Sequence, residues 1–174
     1  MSVIYPEATP VQGYTSVLLL EAVAVETAVD LSTEINAVGS VNVSCFVRDF
    51  SPEFQNNIGN APARLCTTVQ LPVEGNTQFQ PIDVRYVYDP QADDASDDNK
   101  AKAFLTRGTE FYALVRKGFD AQTEAFAVGQ RYELYKMRAG RQNKVRSGDD
   151  EFAEYEISQQ WFPLQEPVDG IIVA

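Results

Sequence analysis

Three stretches of the chain alternate apolar and polar side chains with a period of two. "VNVSCFV" (41–47) sets Val41, Val43, Cys45 and Val47 against Asn42, Ser44 and Phe46. "IDVRYVY" (82–88) sets Ile82, Val84, Tyr86 and Tyr88 against Asp83 and Arg85, and "EYEISQQW" (154–161) sets Tyr155, Ile157 and Trp161 against Glu154, Glu156 and Ser158. That period marks strands half-buried in antiparallel sheets. Further strands are expected at 16–20, 63–71, 111–118, 132–145 and 170–173. The run "FYALVRK" (111–117) is apolar on both faces, as a strand covered on both sides would be.

One helical period interrupts the strands. Ala101, Phe104 and Leu105 recur at helical spacing, and Gly108 is placed to end the helix. Ser96 or Asp97 can cap its start, where Asp97 and Asp98 suit the helix dipole, and Lys102 and Arg107 lie toward the other end. The pattern predicts a mainly β chain, a β-sandwich or barrel with one α-helix near 97–107 packed on its flank. Residues 1–13 and 50–62 are polar and proline-punctuated, and they read as an arm and a long loop. Loops of that length are often functional. With no internal repeat and no linker, the 174 residues form a single domain, long enough to fold without a disulfide or metal staple.

Composition removes whole classes of chemistry. The chain has no histidine, which takes away the commonest general base and every Ser-His or Cys-His nucleophile arrangement. No GxSxG elbow, GxxxxGK[ST] loop or GxGxxG turn is present, so no enzyme and no cofactor is expected. The two cysteines, Cys45 and Cys66, lack zinc-ligand spacing. Cys45 is expected on a buried strand face and Cys66 on a polar one, both free rather than bridged. The N-terminus has no signal-peptide pattern and no apolar run reaches about 18 residues, so a soluble protein made in the cytoplasm, with no membrane partner, is expected.

Charge is distributed unevenly. The net charge is −11, which argues against nucleic-acid binding along the chain. Residues 89–98 hold five aspartates, among them Asp93, Asp94, Asp97 and Asp98, and no basic residue. The cluster lacks the glycine and distal glutamate of an EF-hand loop, so it reads as a solvated helix start, with a Ca2+ site the weaker alternative. Residues 136–146 hold five of the fourteen basic residues, Lys136, Arg138, Arg141, Lys144 and Arg146, and no acid. This segment is either a solvated hairpin, a contact for an acidic loop of the same or a neighbouring subunit, or, less favoured, a nucleic-acid contact.

From Tyr86 onward the chain resembles the major tail proteins, the tail-tube subunits, of long-tailed (siphovirus-type) phages infecting actinobacteria. The carrying residues are "YVYDPQ" (86–91), "NKA" (99–101), Leu105, "GT" (108–109), "YALVRKG" (112–118), "YELYKMRAGRQNK" (132–144) and "EYEISQQWF" (154–162). The resemblance covers roughly the C-terminal half. The loop "SGDDEF" departs from the Gln/Pro-rich equivalent by being more acidic. The resemblance implies two packed antiparallel sheets with a flanking helix, and six subunits joined into rings that stack into a tube conducting DNA. The partners it implies are further copies of the chain, other tail proteins (tape measure, tail terminator, distal tail) and DNA that passes without tight binding. The site it implies is the virion tail, assembled in the host cytoplasm. An acidic or neutral lumen would let DNA slide, and the candidate lumen residues are Asn42, Ser44, Glu154, Glu156 and Ser158. The competing readings are a tail terminator, a head decoration protein, or a monomeric β-sandwich binding module using Trp161 and Phe162.

Overall fold

The computed structural model describes residues 12–60, 72–148 and 153–174. Ten strands follow in chain order: β1 (Thr15–Leu20), β2 (Val41–Asn42), β3 (Phe54–Asn60), β4 (Pro72–Phe79), β5 (Ile82–Val87), β6 (Glu110–Lys117), β7 (Arg131–Ala139), β8 (Asn143–Arg146), β9 (Tyr155–Pro163) and β10 (Val168–Ile171). The expected class holds: a large antiparallel sheet, a small second sheet of β3 and β4, and one short helix, α1 (Lys100–Phe104).

The large sheet runs β2-β1-β6-β7-β9-β5, with β8 continuing β7 along β9 and β10 continuing β9 along β7. It curls far enough to meet itself. Residues 43–48 leave the β1 edge, where the Val43 N–H bonds the Val17 carbonyl at 2.9 Å, and reach the β5 edge. There Val47 bridges Tyr86, and the Arg48 N–H bonds the Arg85 carbonyl at 3.1 Å. The enclosed core holds Val17, Leu19, Val84, Tyr86, Phe111, Met137, Ile157 and Trp161. Phe111 and Trp161 meet edge to face at 5.0 Å, the favoured geometry for such a pair. A second cluster of Leu18, Leu20, Leu114, Tyr132 and Leu134 packs outside the sheet, under Val29, Ile35 and Ile172. β1, β6 and β7 are therefore covered on both faces over part of their length.

Several expectations are corrected. "VNVSCFV" is a strand only at Val41–Asn42. The chain then turns, because Asn42 Oδ1 accepts from the Ser44 N–H at 3.0 Å, the local bond that lets asparagine replace a strand with a turn. Cys45 consequently lies exposed rather than on a buried face. The segment 50–62 is not all loop, since Phe54–Asn60 forms β3. The strand expected at 132–145 is broken in two: Ala139 faces Trp161 and Asn143 faces Ser158, so Gly140, Arg141 and Gln142 stand opposite Gln160 and Gln159. Such a β-bulge bends a strand and re-aims its side chains. Tyr155, expected on the apolar face, is exposed at the strand end, and Glu156, expected on the polar face, is buried. The helix is shorter than 97–107, a 3-10 turn (Asp97–Asn99) leading into Lys100–Phe104, with Leu105 rather than Gly108 as its C-cap. A second helical turn, Leu31–Ile35, was not legible in the sequence. The strand expected at 63–71, Cys66 and nearly all of the arm 1–13 lie outside the described residues.

Candidate assembly surfaces

The acidic loop is a built structure. Asn99 is fully buried, and its amide donates to the carbonyls of Asp89 and Ala92 (both 3.0 Å) and Asp93 (3.3 Å), while its Oδ1 accepts from the Asp89 N–H at 3.1 Å. Ser96 caps the turn by accepting from the Asp98 N–H at 3.3 Å. Two of the aspartates meet cations of the adjoining helix: Asp94 pairs with Lys102 at 2.5 Å and Asp97 with Lys100 at 2.6 Å. Among the described residues no three acidic, Cys or His side chains converge as a metal site would require. The loop is thus an acidic start to a helix, held in place by one buried asparagine.

The basic segment is divided by the bulge. On β7, Arg138 pairs with Glu110 at 2.6 Å, and Lys136 lies over the Tyr112 ring at 5.4 Å, both on the outer sheet face. The hydrogen bond from Arg138 holds the Glu110 carboxyl below its ordinary pKa, and the nearby Lys136 adds to this. On β8, Lys144 instead lies over the Tyr88 ring at 5.7 Å, and Lys102 of α1 approaches the same ring at 5.8 Å. Arg141 and Arg146 are exposed. Among the described residues, the structure gives no ion pair within the chain between any of the five basic residues and the aspartates 93, 94, 97 or 98.

Two glutamines, Gln159 buried and Gln142 half-buried, connect these parts. Gln142 Nε2 donates to the carbonyls of Lys102 (2.9 Å) and Leu105 (3.0 Å) and to the Tyr86 hydroxyl (3.1 Å). Gln159 Nε2 donates to the carbonyls of Leu105 (2.8 Å) and Gly140 (3.0 Å), while its Oε1 accepts from the Tyr86 hydroxyl and the Trp161 indole. The last carbonyls of a helix lack intrahelical partners, and here the side chains of Gln142 in the bulge and Gln159 on β9 supply them. Burial in this network pushes the Tyr86 hydroxyl well above its usual pKa, so it stays a neutral donor. A glutamine on an inward strand face reads in sequence as a mere polar interruption, and no signal distinguished these two.

The candidate lumen residues fall into two places. Asn42 ends β2 and Ser44 lies in the turn after it, where the Ser44 hydroxyl accepts from the Val17 N–H at 2.9 Å. Glu154, Glu156 and Ser158 lie at or on β9. Glu156 is buried against Arg48 Nε, and Arg48 also donates to Glu154 at 2.9 Å. Arg48, which sequence reasoning did not single out, ties the segment leading to β3 onto β9.

β3 and β4 project from this body as a ribbon. Phe79 at its base packs against the Tyr135 ring at 6.0 Å, and Phe50 meets both Tyr135 (5.5 Å) and Trp161 (5.8 Å). No helix among the described residues is long and apolar enough to cross a membrane. A family model described as phage tail tube protein matches residues 3–174. No curated protein matches the chain.

Proposed function

The chain belongs to the phage tail tube protein family, and from that premise we propose that it polymerises as stacked hexameric rings into a tube that conducts DNA. As a member of this family it is a structural component of the virion tail. The match over residues 3–174 carries the reading, because it spans both the strand-rich body and the projecting ribbon. We infer further that the tail is of siphovirus type, from an actinobacterial phage and assembled in the host cytoplasm, as the sequence resemblance implies, and that the chain is non-catalytic, as its lack of histidine and of nucleophile motifs argues. The tape measure, terminator and distal tail proteins are its proposed further partners.

Physical chemistry supports polymerisation in two ways. Open strand edges invite pairing with another chain, and β8 is paired on one side, to β9, among the described residues. A head-to-tail contact between identical subunits closes into a ring when its rotation permits. The net charge of −11 then favours a lumen that DNA phosphates do not grip. Residues 1–13, 50–62, the basic residues of 136–146 and the aspartates of 89–98 are the proposed contact segments. Negative-stain microscopy of the purified protein at rising concentration tests the proposal. Tubes or six-fold rings are expected, and particles that stay monomeric at the highest concentration would overturn it.

A further inference from the structure

The ribbon and one face of the body are complementary surfaces on the same chain. Every described side chain of β3 is exposed, and so is every one of β4 from Pro72 to Gln78, on both faces. A two-stranded ribbon is marginally stable alone in water, so this one is built for a partner. Ile58, 69% exposed, is the direct cross-strand partner of Glu74, and the two share one ribbon face. Residues 51–60 and 72–79 contain Glu53 and Glu74 and no Lys or Arg.

On the body, the outer face of the sheet loses its cover beyond Leu134. The next outward side chains of β7 are Lys136 and Arg138, and Arg138 is the direct cross-strand partner of Phe162 on β9. Phe162 is 40% exposed, with its ring lying over Gly140, where an added Cβ would sit 3.0 Å from it. The exposed Leu164 adjoins, its N–H bonding the Lys136 carbonyl at 2.9 Å. Glu110 neutralises Arg138 in part, while Lys136, over the Tyr112 ring, makes no ion pair among the described residues.

We propose that the β3–β4 ribbon of one copy seats on this bare face of a second copy, the Ile58–Glu74 pair against the Phe162–Arg138 pair. An apolar–acidic pair then meets an apolar–basic pair, so each surface supplies what the other lacks in area and in charge sign. The acidic loop is a poorer occupant. Asp94 and Asp97 already pair with Lys102 and Lys100, and Asn99 fixes the loop backbone. A knob and its seat at different places on one chain make a heterologous contact, which repeats from copy to copy. The inference rests on the polymerisation reading above and names the surfaces that reading requires.

The test places a photo-crosslinking amino acid at Ile58 of the full chain and maps the product by mass spectrometry. Assembled protein should crosslink residue 58 to residues 136–141 or 160–164 of another copy. Crosslinks confined to other segments would overturn the seat while leaving polymerisation intact, whereas wild-type protein that never assembles would overturn both. In parallel, Glu74→Arg and Arg138→Glu should each raise the concentration needed for assembly by about tenfold, and the two together should restore it substantially. A combined variant no better than the worse single one, with circular dichroism showing all three folded, would also overturn the seat.

Discussion

Gln142 Nε2 donates to the Leu105 carbonyl oxygen at 3.0 Å, joining a strand bulge to the end of a helix 37 residues away. The bond explains how a five-residue helix persists, since isolated helices shorter than about 12–15 residues are marginal in water. Gln142 and Gln159 together occupy the Leu105 carbonyl and also hold the Tyr86 hydroxyl. Removing Gln159 leaves the buried Trp161 indole N–H without its acceptor, at a cost of about 1–3 kcal/mol for such a group, whereas removing Gln142 leaves the Leu105 carbonyl and the Tyr86 hydroxyl still bonded to Gln159. Gln142→Ala and Gln159→Leu should therefore both lower the melting temperature, and Gln159→Leu, at the fully buried position, should lower it more. Calorimetry on both variants checks this order, and unchanged melting would remove the glutamines from the account of the helix.

Gly170 lies where the Tyr132 ring crosses β10. A methyl group there would collide with the phenol carbon and oxygen of Tyr132 and come within 2.8 Å of the Thr27 carbonyl. Tyr132 is not free to move, because its hydroxyl donates to the Glu26 carbonyl at 2.8 Å and accepts from the Val29 N–H at 3.0 Å. Gly170→Ala should destabilise the chain by about 1–3 kcal/mol, the usual cost of overpacking. Denaturant unfolding should show a lower midpoint with an unchanged slope. A wild-type midpoint would mean that the two strands separate more easily than their packing implies.

Asp30 caps the turn Leu31–Ile35, accepting from the N–H groups of Ser32 and Thr33 at 2.8 Å each. The backbone bond from Thr33 and the hydroxyl of Ser32 bring its pKa from 3.8 down to about 2. The folded value lies below the unfolded one, so the contribution is present above about pH 4 and is lost as pH falls toward 2. Asp30→Asn keeps a competent cap without a titrating group. The difference in melting temperature between wild type and Asp30→Asn should shrink over that window. A difference that stays constant with pH would assign the acid sensitivity to other carboxylates, such as Glu110 beside Arg138.

Strands whose two faces meet different surroundings could be read from the sequence; those whose burial depends on distant residues could not. β5 shows the first case, with Ile82, Val84 and Tyr86 buried between exposed Asp83 and Arg85. β3 shows the opposite, because a ribbon exposed on both faces has no alternation to display and "FQNNIGN" reads as a loop. β9 fails at Glu156, which is buried and meets Arg48, 108 positions earlier in the chain. The charge contrast between 89–98 and 136–146 was visible as composition. Its division into an outer β7 face and a β8 end was not, since that depends on one extra residue in the bulge.

The division makes the salt response of assembly specific. Exposed ion pairs contribute about 0–1 kcal/mol each, so no single contact between subunits decides the outcome. Repeated around a ring and along a tube, such terms accumulate and fix register. The Debye length falls from about 10 Å at 0.1 M salt to about 3 Å at 1 M, so assembly driven partly by charge should weaken over that range. Arg138→Glu with Arg141→Glu should impair assembly at low salt and flatten its salt dependence, because both cations are exposed. Lys144→Glu should act less on assembly and more on melting, since Lys144 lies over the buried Tyr88 ring within its own chain. Sedimentation velocity across salt concentrations, read beside thermal melts of each variant, separates the two effects. Assembly indifferent to both salt and the Arg138, Arg141 reversal would reduce the basic strand to a solvated face.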